Sequence, residues 1–163
     1  MNFNKIKSYA KINIALNIIG KSNSLHKIES LISFIDFYDT ILIKKIKSNK
    51  HKIIFNGKFS KNINSNNTVK KLFRILDKKR VIDHKFFIKI TKNIPQKAGL
   101  GGGSMNASNI LKYLINKKLI KTSKKQINEI SRSIGSDVIL GLDTTNCVLT
   151  AKNERSEEHT SEL

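Results

Sequence analysis

The chain has 163 residues and a mass of 18.5 kDa, enough for one domain with a real core and too little for two. Its single cysteine, Cys147, excludes an internal disulfide framework, and no apolar run has the length of a membrane span or the form of a secretion signal, so a reducing, cytoplasmic location is expected. The formal charge is +19, yet 27 Lys stand against 4 Arg, and Lys, Ile and Asn together supply 71 residues.

All three of those residues have A/T-rich codons, so genome composition accounts for the basicity at least as well as a polyanionic partner does. A nucleic-acid surface recruits Arg for bidentate contacts and aromatics for stacking. Here Arg is scarce and the lysines are scattered, which disfavours nucleic acid without removing it. The last nine residues, 155–163, contain no Lys, Ile or Asn and hold three of the twelve acids. They resemble the in-frame translation of a sequencing adapter. Residues 1–154 are therefore read as one domain and 155–163 as a non-native tail, with the natural protein expected to continue past Glu154. The body then carries 30 basic and 9 acidic residues, or +21.

In chain order, Ile12, Ile14, Leu16 and Ile18 alternate with Asn13, Ala15 and Asn17, the period of a half-buried strand with Lys11, Asn13 and Asn17 on its polar face. Residues 40–47 and 52–55 predict two more strands, and 57–67 a polar loop. Val69, Leu72, Phe73 and Leu76 fall at helical spacing, so a helix is predicted to end near Lys79. Phe86, Ile88 and Ile90 alternate as a strand. After Pro95 and a glycine cluster, Ala107, Ile110, Leu111, Leu114 and Ile115 form a helical stripe. Ser123 and Gln126 form a capping box before a helix whose core face is Ile127, Ile130 and Ile134. Residues 138–142 and 147–151 are predicted as short strands, with Cys147 a small buried hydrophobe. Strands and helices mix without regular alternation, so the fold class is α+β.

Four of the eight glycines lie within five positions: Gly99, Gly101, Gly102 and Gly103. They sit in the run Pro95-Gln96-Lys97-Ala98-Gly99-Leu100-Gly101-Gly102-Gly103-Ser104-Met105-Asn106, between a predicted strand and a predicted helix. Glycines let a backbone approach a ligand closely, and the following helix offers free N–H groups. That is a phosphate cradle. No Gly-Lys-Ser/Thr closes it as a Walker A loop, and no long βαβ unit surrounds it as a dinucleotide fingerprint. The remaining histidines, His51, His84 and His159, have no zinc-ligand spacing to one another or to Cys147, and no metal ligand is assigned.

Three segments in order, Ala10-Lys11-Ile12-Asn13-Ile14, the glycine loop and Gly135-Ser136-Asp137-Val138, resemble the GHMP kinase superfamily. The extra glycine before Ser104 and the stretch from His26 to Asp39-Thr40 favour the branch acting on 4-diphosphocytidyl-2-C-methyl-D-erythritol, in isoprenoid precursor synthesis. The resemblance covers residues 8–154 and implies an N-terminal domain like ribosomal protein S5, with a ferredoxin-like C-terminal domain missing. It implies an ATP-dependent small-molecule kinase using Mg²⁺, with Asp137 as catalytic base and Lys11 as the lysine that stabilises developing charge. It places ATP phosphates on Pro95, Lys97, Ala98, Gly99, Leu100, Gly101, Gly102, Gly103 and Ser104. It places the cytidine diphosphate-linked methylerythritol on Asn13, His26 and Asp137. Leu25 stands where the family has an aromatic, Met105 where it has a second serine, and Lys97 where it has a small residue. The chain by itself is expected to be inactive. Another small-molecule kinase of the superfamily, or a basic RNA-binding module without catalysis, remains open as an alternative.

Overall fold

The structure, a computed structural model, describes residues 2–22, 25–142, 147–149 and 155–156, and the side chains of 2–15 and 30–142. Two long strands begin it: β1 (Asn4–Ser22) and β2 (Leu25–Ile46) pair antiparallel from Asn4↔Ile43 to Ser22↔Leu25. Register shifts interrupt the pairing between Tyr9 and Ala10, Asn13 and Ala15, and Ile18 and Gly20. The predicted strand at 12–19 is thus one part of a longer element. The strand stretches at 4–10 and 25–39 were not predicted.

Two further strands extend the sheet, β3 (Lys52–Asn56) and β4 (Lys85–Thr91), with helix α1 (Thr68–Lys78) between them in the chain. β4 pairs antiparallel with β2, and β3 runs parallel to β4, so α1 is the crossover that a parallel pair requires. Helix α2 (Gly102–Asn116) and helix α3 (Lys124–Ile134) follow. Residues 138–142 were expected to be a strand; instead they belong to two 3₁₀ turns, Ser136–Val138 and Leu140–Leu142. The reason is packing: a Cβ on Gly141 would lie 2.9 Å from the Ser108 side chain and 3.0 Å from Met105 Sδ, so the segment presses against α2 rather than extending beside a strand. β5 (Cys147–Leu149) pairs with Ser30–Ile32 of β2, and β6 (Arg155–Ser156) pairs with β5. Ala151 and the side chain of Cys147 lie outside the described residues.

The helices form one layer against one face of the sheet. Ile41 and Ile43 of β2 and Phe86, Ile88 and Ile90 of β4 meet Leu72, Phe73 and Leu76 of α1, Ile110, Leu111 and Leu114 of α2, and Ile130 and Ile134 of α3. Each helix turns its apolar stripe inward, as its spacing requires. Asn67 caps α1 by accepting from the Lys70 N–H. Ser123 and Gln126 cap each other's backbone N–H at the start of α3. One histidine is built into this layer. His51 packs on Phe73 and Phe86, its Nδ1 accepts from the Phe86 N–H (3.1 Å) and its Nε2 faces Asp77 Oδ1 (3.3 Å). Burial lowers the His51 pKa below its ordinary value. Burial also works against ionised Asp77, but hydrogen bonds from Lys85 (2.6 Å) and His51 outweigh it and hold that carboxyl low. Among the described residues no helix is long and apolar enough to cross a membrane.

Candidate active site

The site lies where β1, the glycine loop and the turn after α3 converge. The loop is locked to β1 through its backbone: the Lys11 N–H donates to the Leu100 carbonyl at 3.1 Å. Gly101 is the N-cap of α2 with φ +66°, a left-handed conformation that favours glycine, and a Cβ there would lie 2.8 Å from Lys11 Cγ. Among the described residues no side chain caps the α2 N-terminus. Its first-turn amides and the positive end of its dipole are therefore left for an anion.

On one side of this junction is a cavity of about 410 Å³. Every residue expected to hold the ATP phosphates lines it: Pro95, Lys97, Ala98, Gly99, Leu100, Gly101, Gly102, Gly103 and Ser104. The Asn64, Asn66, Asn67 and Thr68 segment forms another part of its wall, and the Thr68 hydroxyl donates to the Gly103 carbonyl at 2.6 Å. That polar stretch was predicted only as a loop. Its run of asparagines was the available signal. Lys97 takes φ +57°, a left-handed backbone that glycine adopts more readily than any residue with a Cβ. Met105 is buried with Ile32 and Leu140 in a small apolar cluster and does not line the cavity, so residue 105 is a core position here.

On the other side is a polar trio. Lys11 Nζ donates to Asn13 Oδ1 at 3.0 Å and lies 3.4 Å from Asp137 Oδ2. The Lys11 side chain is 8% exposed and that of Asp137 33%. The cation is held by its surroundings, and the carboxylate remains open to a molecule in solution. Lys11 and Asn13 meet because they stand two apart on β1. Asp137 is delivered by the turn that α3 leads into, where the Val138 N–H closes on the Gly135 carbonyl at 3.1 Å. The structure brings together Lys11, Asn13 and Asp137. His26 pairs through its backbone with Lys21, and its side chain, like that of Leu25, lies outside the described residues. Among the described residues no cluster of three His, Cys, Asp or Glu is shaped to hold a metal. Among the described residues that line the cavity, Ser104 and Thr68 carry hydroxyl oxygens.

Sequence reasoning missed Asp39, Lys92 and Asn106. The last two line the cavity, and all three join in one buried network beneath the loop.

A glycine-rich helix N-terminus beside a lysine–carboxylate pair, on an α+β layer, is the arrangement of a phosphate-binding domain. Residues 67–150 match the family described as GHMP kinases N terminal domain, and the chain belongs to that family. It is 55% identical over 155 residues to 4-diphosphocytidyl-2-C-methyl-D-erythritol kinase of Pelagibacter ubique, covering 94% of this chain and 55% of that protein. It is 34% identical over 134 residues to the kinase of the same name from Finegoldia magna, covering 82% and 48%. Among solved structures, a crystal structure of 4-(cytidine 5'-diphospho)-2C-methyl-D-erythritol kinase superposes with TM-score 0.74 at 20% identity, covering 93% of this chain and 53% of that one. A mevalonate kinase superposes with TM-score 0.63 at 18% identity, covering 96% and 56%. The chain spans about half the length of the curated relatives it matches.

Proposed function

We propose that this chain supplies the phosphate-binding and catalytic groups of a kinase that transfers the terminal phosphoryl group of ATP to the 2-hydroxyl of 4-diphosphocytidyl-2-C-methyl-D-erythritol. The observation that carries it is the junction at Gly101. One short loop forms the wall of a 410 Å³ cavity and touches the stem of the lysine that faces Asp137. In this reading, Asp137 accepts the proton of the substrate hydroxyl as its oxygen bonds to the terminal phosphorus. The bond from that phosphorus to the bridging oxygen breaks, and adenosine diphosphate leaves with the electron pair. Lys11 stabilises the negative charge at the hydroxyl oxygen, and Asn13 holds the Lys11 ammonium in line. The free amides at the start of α2 hold the phosphates. Such chemistry rests on positioning and electrostatics, which are what these residues provide. Mg²⁺, held by nucleotide phosphates with the Ser104 hydroxyl, would offset phosphate charge.

The test joins residues 1–154 to the remaining part of the Pelagibacter ubique relative and measures phosphoryl transfer. Turnover of the cytidine diphosphate substrate is expected, with Asp137→Asn lowering kcat about 10²–10⁴-fold at unchanged unfolding temperature. Full activity of the Asp137→Asn protein would remove Asp137 as the base. Leu25, an aliphatic residue where the family stacks a base, favours including homoserine and mevalonate derivatives in the substrate panel. Turnover of one of those in place of the cytidine diphosphate compound would move the assignment to another member of the family.

A further inference from the structure

One carboxylate holds both ends of the glycine loop. Asp39 of β2 is fully buried. Its Oδ1 accepts from the backbone N–H groups of Asn93 (2.7 Å) and Ile94 (2.9 Å), the two residues that lead into the loop. Its Oδ2 accepts from Asn106 Nδ2 (2.9 Å), one turn into α2 beyond the loop, and from Lys92 Nζ. The loop from 95 to 101 therefore leaves and returns to a single anchor. Lys92 is buried as well, and a Cβ on Gly102 would lie 3.2 Å from its ammonium, so the positive partner of Asp39 sits directly under the first turn of α2. Asn106 Oδ1 is buried at the same floor, with no hydrogen-bond partner among the described residues.

A buried ion pair is a poor device for stability alone, because desolvating both charges consumes most of what their attraction returns. Its better use is to fix geometry. We infer that Asp39 is a positioning residue for nucleotide phosphate. By pinning the peptide groups on both sides of the loop and holding Lys92 beneath the helix N-terminus, it sets the loop amides in their phosphate-binding arrangement before a nucleotide arrives. Preorganisation of this kind acts on binding by removing the cost of ordering the loop. This role rests on the kinase reading above.

The test uses the full 163-residue chain and two readouts, amide hydrogen exchange and calorimetric affinity for adenosine diphosphate and adenosine. Asp39→Asn is the direct variant. Because it leaves the Lys92 ammonium buried beside a neutral partner, D39N/K92M removes both charges and keeps the comparison usable if the single variant does not fold. The expected result is that amides of residues 96–103 exchange about tenfold faster or more while Ile88 and Ile90 in β4 keep their protection. Affinity for adenosine diphosphate falls about tenfold or more, and adenosine affinity stays as in the wild type. Unchanged loop exchange and unchanged diphosphate affinity in a folded variant would overturn the role. So would a uniform loss of protection across loop and core, which is what a merely structural pair would give. A wild-type chain that binds adenosine diphosphate no better than adenosine would overturn the phosphate reading of the cavity, and the role of Asp39 with it.

Discussion

Replacing Gly101 by alanine separates backbone strain from chemistry at the point where loop and lysine touch. The left-handed backbone at Gly101 costs an ordinary residue about 1–2 kcal/mol, which lowers the unfolding temperature by roughly 2–8 °C in a chain of this size. The added methyl would also stand 2.8 Å from Lys11 Cγ and 3.3 Å from Cε. Carbon atoms settle at about 3.5–4.0 Å, so the lysine stem must retreat by roughly 1 Å. Lys11 Nζ now lies 3.0 Å from Asn13 and 3.4 Å from Asp137, and a displacement of that size costs about a hundredfold in rate. The assay is kcat/KM in the chimeric kinase, measured in a cycle with Lys11→Met below the unfolding temperature of every variant. If the methyl acts through Lys11, Gly101→Ala lowers kcat/KM about a hundredfold alone and has little further effect once the ammonium is gone. Equal effects in both backgrounds, or near-wild-type turnover of Gly101→Ala, would refute the coupling.

Acid should destabilise the fold in two stages. The His51 pKa is lowered by burial, so the unfolded chain binds the proton more readily. The stability this contributes is present above the unfolded value of about 6.5 and is lost as pH falls below it toward the lowered value. Asp77, also lowered, adds a second loss beneath the ordinary carboxylate range. Unfolding temperature against pH reads both, and His51→Gln should flatten the first limb; an unchanged slope near pH 6 would remove His51 as its source. At the start of α3, Ser123→Ala breaks the capping box and should cost about 1 kcal/mol, read as a fall of roughly 2–4 °C in unfolding temperature.

The helices were legible because each carries its own pattern. Val69, Leu72, Phe73 and Leu76 turn up on one buried face of α1, and Ser123 with Gln126 marks the start of α3. The glycine loop was equally local: its ten residues from Pro95 to Ser104 line one cavity as they line up in sequence. The first half of β1 was not legible. Its inward positions include Ser8 and Ala10, both fully buried, and small or polar residues leave no apolar alternation to read. In β2 the buried positions switch from Ser30 and Ile32 to Asp39, Ile41 and Ile43, with a register shift of the pairing between them, so a strict period of two fails over the full length. At 138–142 a short apolar run fits a strand and a pair of turns alike, and only the close approach of Gly141 to α2 decides. Asp39 and Lys92 could not be paired from sequence, because nothing local to either residue points to the other across 53 positions.

The long pairing of β1 with β2 also divides the site into a local and a distant part. Its contacts join neighbouring stretches of chain, so the hairpin can close early and at little entropic cost. The parallel pairing of β3 with β4 needs the α1 crossover, and Asp137 is positioned by the turn that follows α3. Lys11 therefore stands on an element that closes locally, whereas its carboxylate partner depends on a turn far along the chain. During synthesis the lysine, the loop and the acid emerge in that order, and the ion pair between Lys11 and Asp137 ties the first strand to the turn after α3.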